Sequence, residues 1–146
     1  MVSSAAIRES FDRSFGLYRD LLEVLDEVGL QSKLRSLPSN AIGAQFWCVV
    51  GARESYARAI TSGEWPGFSC SLDEPGDPAR VAAALGSSAA AVSKALRLLD
   101  ETGQAQDRLV LDLLEHEAQH HGQLIRYLYA LRLEIPATWR ARYALD

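Results

Sequence analysis

All three histidines of the chain fall within one short stretch, Leu113-Leu114-Glu115-His116-Glu117-Ala118-Gln119-His120-His121-Gly122-Gln123. It contains His-Glu-x-x-His, the zinc signature in which two imidazoles one helical turn apart grip an ion and the glutamate serves as base. On a helix, positions four apart differ by about 40° in azimuth, so His116 and His120 share a face. Followed in both directions, that face reads Leu109, Leu113, His116, His120, Leu124, Tyr127 and Leu131, so the pair interrupts an apolar stripe that should face inward. Burying an unpaired imidazole costs about 1 to 3 kcal/mol, which calls for a partner. Three readings stand: the pair ligates a metal, it is a structural pair bonded to backbone or to a tyrosine hydroxyl, or it has a metal-free acid/base or binding role. A peptidase is the remote alternative. It needs a third ligand, and after His121 only Glu134 and the terminal Asp146 offer one. Such enzymes also hold extended substrates along a strand edge, for which this sequence shows no pattern. Glu117 lies about 100° from His116 and is expected on the solvated side.

The elements that must position these residues read as helices. From Ser4 to about Val28, Ile7, Phe11, Phe15, Tyr18, Leu21, Leu22 and Leu25 recur at spacings of three and four, with Gly29 as the stop. Ser39 or Asn40 is available to cap a second helix over about 41–60. Gly and Pro then crowd the stretch from Ser62 to Pro78, a long irregular connection of the kind that is usually functional or mobile. Asp77-Pro78 is a good helix start, and the third helix runs toward Gly103. Its small residues, Gly86 to Ala91, would admit a close neighbour. The fourth helix, about 104–133, carries the histidines and ends before Pro136. The chain is therefore expected to be all-α, a single domain over residues 1–146, folded as a four-helix bundle with a long crossover connection between the second and third helices.

Composition narrows the function classes. The net charge of -4 supplies no basic field for nucleic acid, and the short run Trp139-Arg140-Ala141-Arg142 is too brief to argue for an anionic partner. No apolar run approaches the roughly 20 residues that span a bilayer. Nothing at the N-terminus resembles a secretory signal, and the two cysteines, Cys48 and Cys70, are expected as reduced thiols in a cytoplasm.

Two segments carry a resemblance. His116-x-x-x-His120-His121-Gly122-Gln123, with Leu124, Tyr127 to Leu131 and Ile135-Pro136, is similar to the late-helix pattern of the DinB-like (DinB/YfiT-type) metal-binding four-helix bundles. Ser39 through Tyr56 resembles that family's second helix, where a histidine normally follows the aromatic residue. The resemblance implies a bundle that is often a homodimer, a divalent ion (zinc or nickel) held by three histidines, and metal-assisted, thiol-dependent transfer to small molecules. His116 and His120 match two ligand positions. The third falls on Cys48, where this chain departs from the pattern.

At Cys48 two readings remain. A thiolate can replace an imidazole at zinc, giving a Cys-His-His set with an open fourth position. Alternatively, Cys48 is a small core residue on a stripe with Ala44, Gly51, Ala52, Ser55 and Ala59. In that case the site is degenerate, and the chain reads as a metal-free dimeric binding or interaction module. Trp47, Tyr56, Tyr127 and Tyr129 read as core before pocket. Arg53 and Glu54 read as a charge pair on the second helix. Trp65, Phe68 and Cys70 fall in the long connection, as lid or dimer contact if exposed.

Overall fold

The computed structural model describes residues 2–104 and 106–146. All regular structure among these is helical: α1 (Ser4–Glu23), α2 (Glu27–Gln31), α3 (Ile42–Ser62), α4 (Pro78–Thr102), α5 (Asp107–Ala130) and α6 (Ala137–Tyr143). The punctuation follows side-chain chemistry. The Ser3 hydroxyl accepts from the Ala6 amide to start α1, and the Asp77 carboxylate accepts from Ala79 and Arg80 with Pro78 in the first turn of α4. Gly63 (φ 80°) and Gly103 (φ 64°) close α3 and α4 in the left-handed conformation that glycine adopts without strain.

The boundaries differ from expectation in three places. The first predicted helix breaks after Glu23, because Asp26 turns its carboxylate onto the Gly29 amide and starts α2; Gly29 lies inside this short helix and is not a stop. Neither Ser39 nor Asn40 caps α3. Ser39 bonds the backbone of Leu34, Asn40 accepts from Gln45, and Ala41 occupies the cap without a side-chain bond. The helix predicted to begin near Gln104 starts at Asp107, Ala105 lying outside the described residues, and it ends at Ala130. A sixth helix not expected from the sequence follows Pro136. Trp139 anchors it, wholly buried and donating its indole N–H to the Leu17 carbonyl.

α3 packs against both α4 and α5, and α1 packs against the same two; α2 lies on α3 and α6 on α1. Glycines on α3 set the path of the long connection. A Cβ at Gly51 would come within 2.3 Å of the Phe68 ring, and one at Gly43 within 2.2 Å of the Pro75 carbonyl oxygen. The connection is thus strapped along α3, with Leu72 buried beneath it and Glu54 accepting from the Ser71 amide. The close approach expected around Gly86 does not involve that residue, which is exposed with open space around it.

The interior is divided. One apolar cluster gathers Leu17, Leu21, Phe46, Val50, Leu85, Leu124 and Leu128. Another gathers Phe11, Ile60, Val92, Val110 and Leu113. Around the junction of the two clusters each long helix carries buried polar residues: Ser14 on α1, Arg53 and Ser55 on α3, Ser88 on α4, and Glu117, His120 and His121 on α5. No helix among the described residues is long and apolar enough to cross a membrane.

Candidate metal centre

α3 and α5 bring Cys48 to the histidine pair. Its Sγ lies 3.5 Å from His116 Nε2, across 68 positions of sequence. One potential ligand atom from each of Cys48, His116 and His120 falls within 4.8 Å of the others, a group that could hold a metal ion. The spacing carries information. Ligands at about 2.3 Å (sulfur) and about 2.05 Å (nitrogen) from a tetrahedral ion stand roughly 3.5 Å apart. The sulfur and the first nitrogen already have that separation, and the rings of His116 and His120 have centroids 4.6 Å apart.

The rings are set by their outer nitrogens. His120 Nδ1 meets Gln45 Oε1 at 2.5 Å, and Gln45 Nε2 donates to Asn40 Oδ1, which fixes the amide's orientation. Nδ1 of His120 therefore carries the proton and Nε2 keeps its lone pair, the arrangement by which a neighbouring carbonyl orients a metal-binding imidazole. His116 Nδ1 is buried without a hydrogen-bond partner among the described residues. An ion at Nε2, the nitrogen that faces the sulfur, would leave Nδ1 without a partner as well, so this atom favours neither the metal nor the structural account. The set of one thiol and two imidazoles suits a borderline-soft divalent ion such as zinc or nickel.

Electrostatics keep both rings in the ligating form. Burial pushes the His116 imidazole below its usual value. Burial, then the neighbouring His116, brings His120 down to about 4, and burial does the same to His121. Neutral imidazole is the form that binds metal. The Cys48 thiol is pushed up by burial, so without a cation beside it the sulfur holds its proton. An imidazole whose folded pKa lies below the free value of about 6.5 takes up its proton more readily unfolded. The metal-free protein is therefore expected to keep its full stability above about pH 6.5 and to lose it progressively as pH falls toward 4. The groups bearing on these rings are Gln45, Cys48, His116, Glu117 and His121 for His120, and Ser14, Tyr18, Arg53, Glu117, Trp139, Arg142 and Tyr143 for His121. Urea midpoints measured between pH 7.5 and 4 check this; midpoints flat across the range would count against it.

Several site residues were placed differently by sequence alone. Glu117 is wholly buried, not solvated. It accepts from Arg53 Nε at 2.6 Å and Arg53 Nη2 at 2.9 Å, and from the Ser14 hydroxyl at 2.5 Å. Burial alone would raise its carboxyl; the Arg53 guanidinium outweighs that and holds it below the usual carboxylate range. Arg53 is thus paired with Glu117 across the interior and not with Glu54. Its guanidinium also lies over the rings of Phe15 and Tyr18. Among the aromatics read as core, Tyr127 is buried and donates to Asn40, whereas Trp47 and Tyr129 are exposed. Gln45, Ser14 and Tyr143 carried no sequence signal. Arg53 and Glu117 carried one: each sits at apolar spacing within a buried stripe, Phe46-Val50-Arg53-Ala57-Ile60 and Leu113-Glu117-Leu124-Leu128.

No family model matches the chain, and no curated protein matches it.

Proposed function

We propose that the chain is a DinB-like four-helix bundle, with α3 joined to α4 by a crossover connection, that binds a divalent ion through Cys48, His116 and His120. On this reading it acts on small molecules as a metal-assisted, thiol-dependent transferase, as a homodimer in the cytoplasm. The observation that carries the proposal is the meeting of a sulfur from α3 with two neutral imidazoles from α5.

Each residue has a defined task. Gln45 holds the His120 ring with Nε2 toward the other ligands. Cys48, as thiolate, would contribute the negative charge, and three protein ligands leave the fourth position of a tetrahedral site for a small molecule. An ion held there would supply Lewis acidity, keeping a substrate thiol deprotonated at neutral pH. The peptidase alternative loses support, because the oxygens of Glu117, its would-be base, are occupied by Arg53 and Ser14.

The test is a panel of electrophiles offered with low-molecular-weight thiols (cysteine, glutathione and a mycothiol-type thiol) to protein loaded with zinc or nickel. The expected result is saturable thiol consumption that a chelator abolishes and added metal restores. Stoichiometric metal binding without thiol consumption would leave a metal protein but overturn the transferase. Absence of metal binding would leave the metal-free dimeric module as the better reading.

A further inference from the structure

Residues of α1, α5 and α6 line a half-open hollow of about 170 Å³ that includes none of Cys48, His116 and His120. Beneath it lie three buried polar residues, Ser14, Glu117 and His121, whose hydrogen bonds are already made. The Ser14 hydroxyl donates to Glu117, so the 3.0 Å contact between Ser14 Oγ and His121 Nε2 must be made by an Nε2–H. His121 Nδ1 is then an acceptor and takes the proton of the Tyr143 hydroxyl at 2.6 Å. The reverse tautomer would leave Ser14 and Glu117 in contact with no proton between them. This order excludes Ser14 as a nucleophile activated by His121, since its proton is held by Glu117. The charge of Glu117 is in turn matched by Arg53.

Two further cations line the same cavity: Arg13 on α1 and Arg142 on α6. Among the described residues neither has a carboxylate partner within salt-bridge distance, and the nearest polar contact of Arg13 is the Ser10 hydroxyl at 3.4 Å. Arg142 lies with its guanidinium 5.4 Å from the Tyr143 ring centroid. Both guanidinium charges also bear on the Tyr143 hydroxyl, opposing the rise that burial imposes on it. Two unmatched like charges on one small concavity repel each other, and the wall behind them brings no net negative charge. The sequence places them far apart, which is why the short basic run near the C-terminus carried no meaning until α6 folded against α1.

We infer that this cavity binds a small oxyanion group, phosphate or carboxylate, clamped between Arg13 and Arg142 at a site separate from the metal centre. Guanidinium donors match the planar edge of a carboxylate or two oxygens of a phosphate, and the volume admits one such group.

The experiment is isothermal titration of the full-length protein with inorganic phosphate, and in a separate arm with acetate and succinate, at constant ionic strength. Saturable one-to-one binding in at least one arm is expected, and the preferred arm identifies the anion. Arg13→Gln and Arg142→Gln should each weaken binding tenfold or more. Both residues are exposed, so these variants should keep the wild-type circular dichroism spectrum, and Lys33→Gln, an exposed cation outside this hollow, should bind as wild type. His116→Ala must also retain binding. Loss in that variant would place the anion on the metal centre and overturn the inference, as would non-saturable uptake or equal affinity in the arginine variants.

Discussion

Replacing His120 by alanine is expected to lower zinc affinity by roughly 100-fold or more, and Cys48→Ala and His116→Ala should do the same. The magnitude follows from the ligand count. Altering a group that merely orients a ligand costs about 10- to 100-fold, so removing one of three direct ligands must cost at least the upper end of that range. Gln45→Leu supplies the internal comparison. It leaves all three donors but frees the His120 ring from its carbonyl anchor, and should fall within that 10- to 100-fold band. Cys48→His should bind nearly as well as the wild type, because an imidazole there supplies a third nitrogen ligand from the same helical position. Competition against a chromogenic chelator at pH 7.5, using protein without a histidine tag, reads all five variants. Wild-type metal content well below one per chain, unchanged by these substitutions, would remove the centre.

That ordering of effects also separates what the sequence made legible from what it did not. The two histidines announced themselves, since spacing four on a helix fixes their shared face regardless of the rest of the fold. Cys48 was reached through resemblance; nothing local distinguishes it from the small residues around it. Gln45 was invisible because a polar side chain at the start of a helix usually faces water, and its partner lies 75 positions away. The four long helices followed from apolar spacing at 3.6 residues per turn, which many contacts enforce at once. The break between α1 and α2 turned on one side chain, Asp26, whose capping bond outcompeted a helical pattern that the apolar residues alone would have continued. α6 was missed because seven residues are too few to show a period, and it is held by one indole and its hydrogen bond.

The misplacement of Glu117 has the largest consequence for stability. Its carboxylate and the Arg53 guanidinium are both almost fully removed from water and meet in two hydrogen bonds, between two apolar clusters that otherwise account for the core. Desolvating two ions is costly, and their attraction with the extra hydrogen bonds offsets the cost only while both are present. Glu117→Gln strands the guanidinium, and Arg53→Met strands the carboxylate. Each is expected to destabilise by about 3 to 5 kcal/mol, which in a chain of this length lowers the thermal midpoint on the order of 10 °C. The double variant Arg53→Met/Glu117→Leu removes both charges and fills the space with apolar groups. It should recover most of the loss, leaving Ser14 with His121 as its remaining partner. Thermal and urea unfolding of the metal-free wild type, the two single variants and the double variant form a closed cycle. A coupling energy near zero, with the double variant as unstable as the sum of the singles, would mean that the pair is not the joint that binds α3 to α5. Strong coupling would mean that the same ion pair fixes the register of the two helices carrying Cys48, His116 and His120, so that Arg53→Met should also weaken zinc binding although it touches none of the ligands.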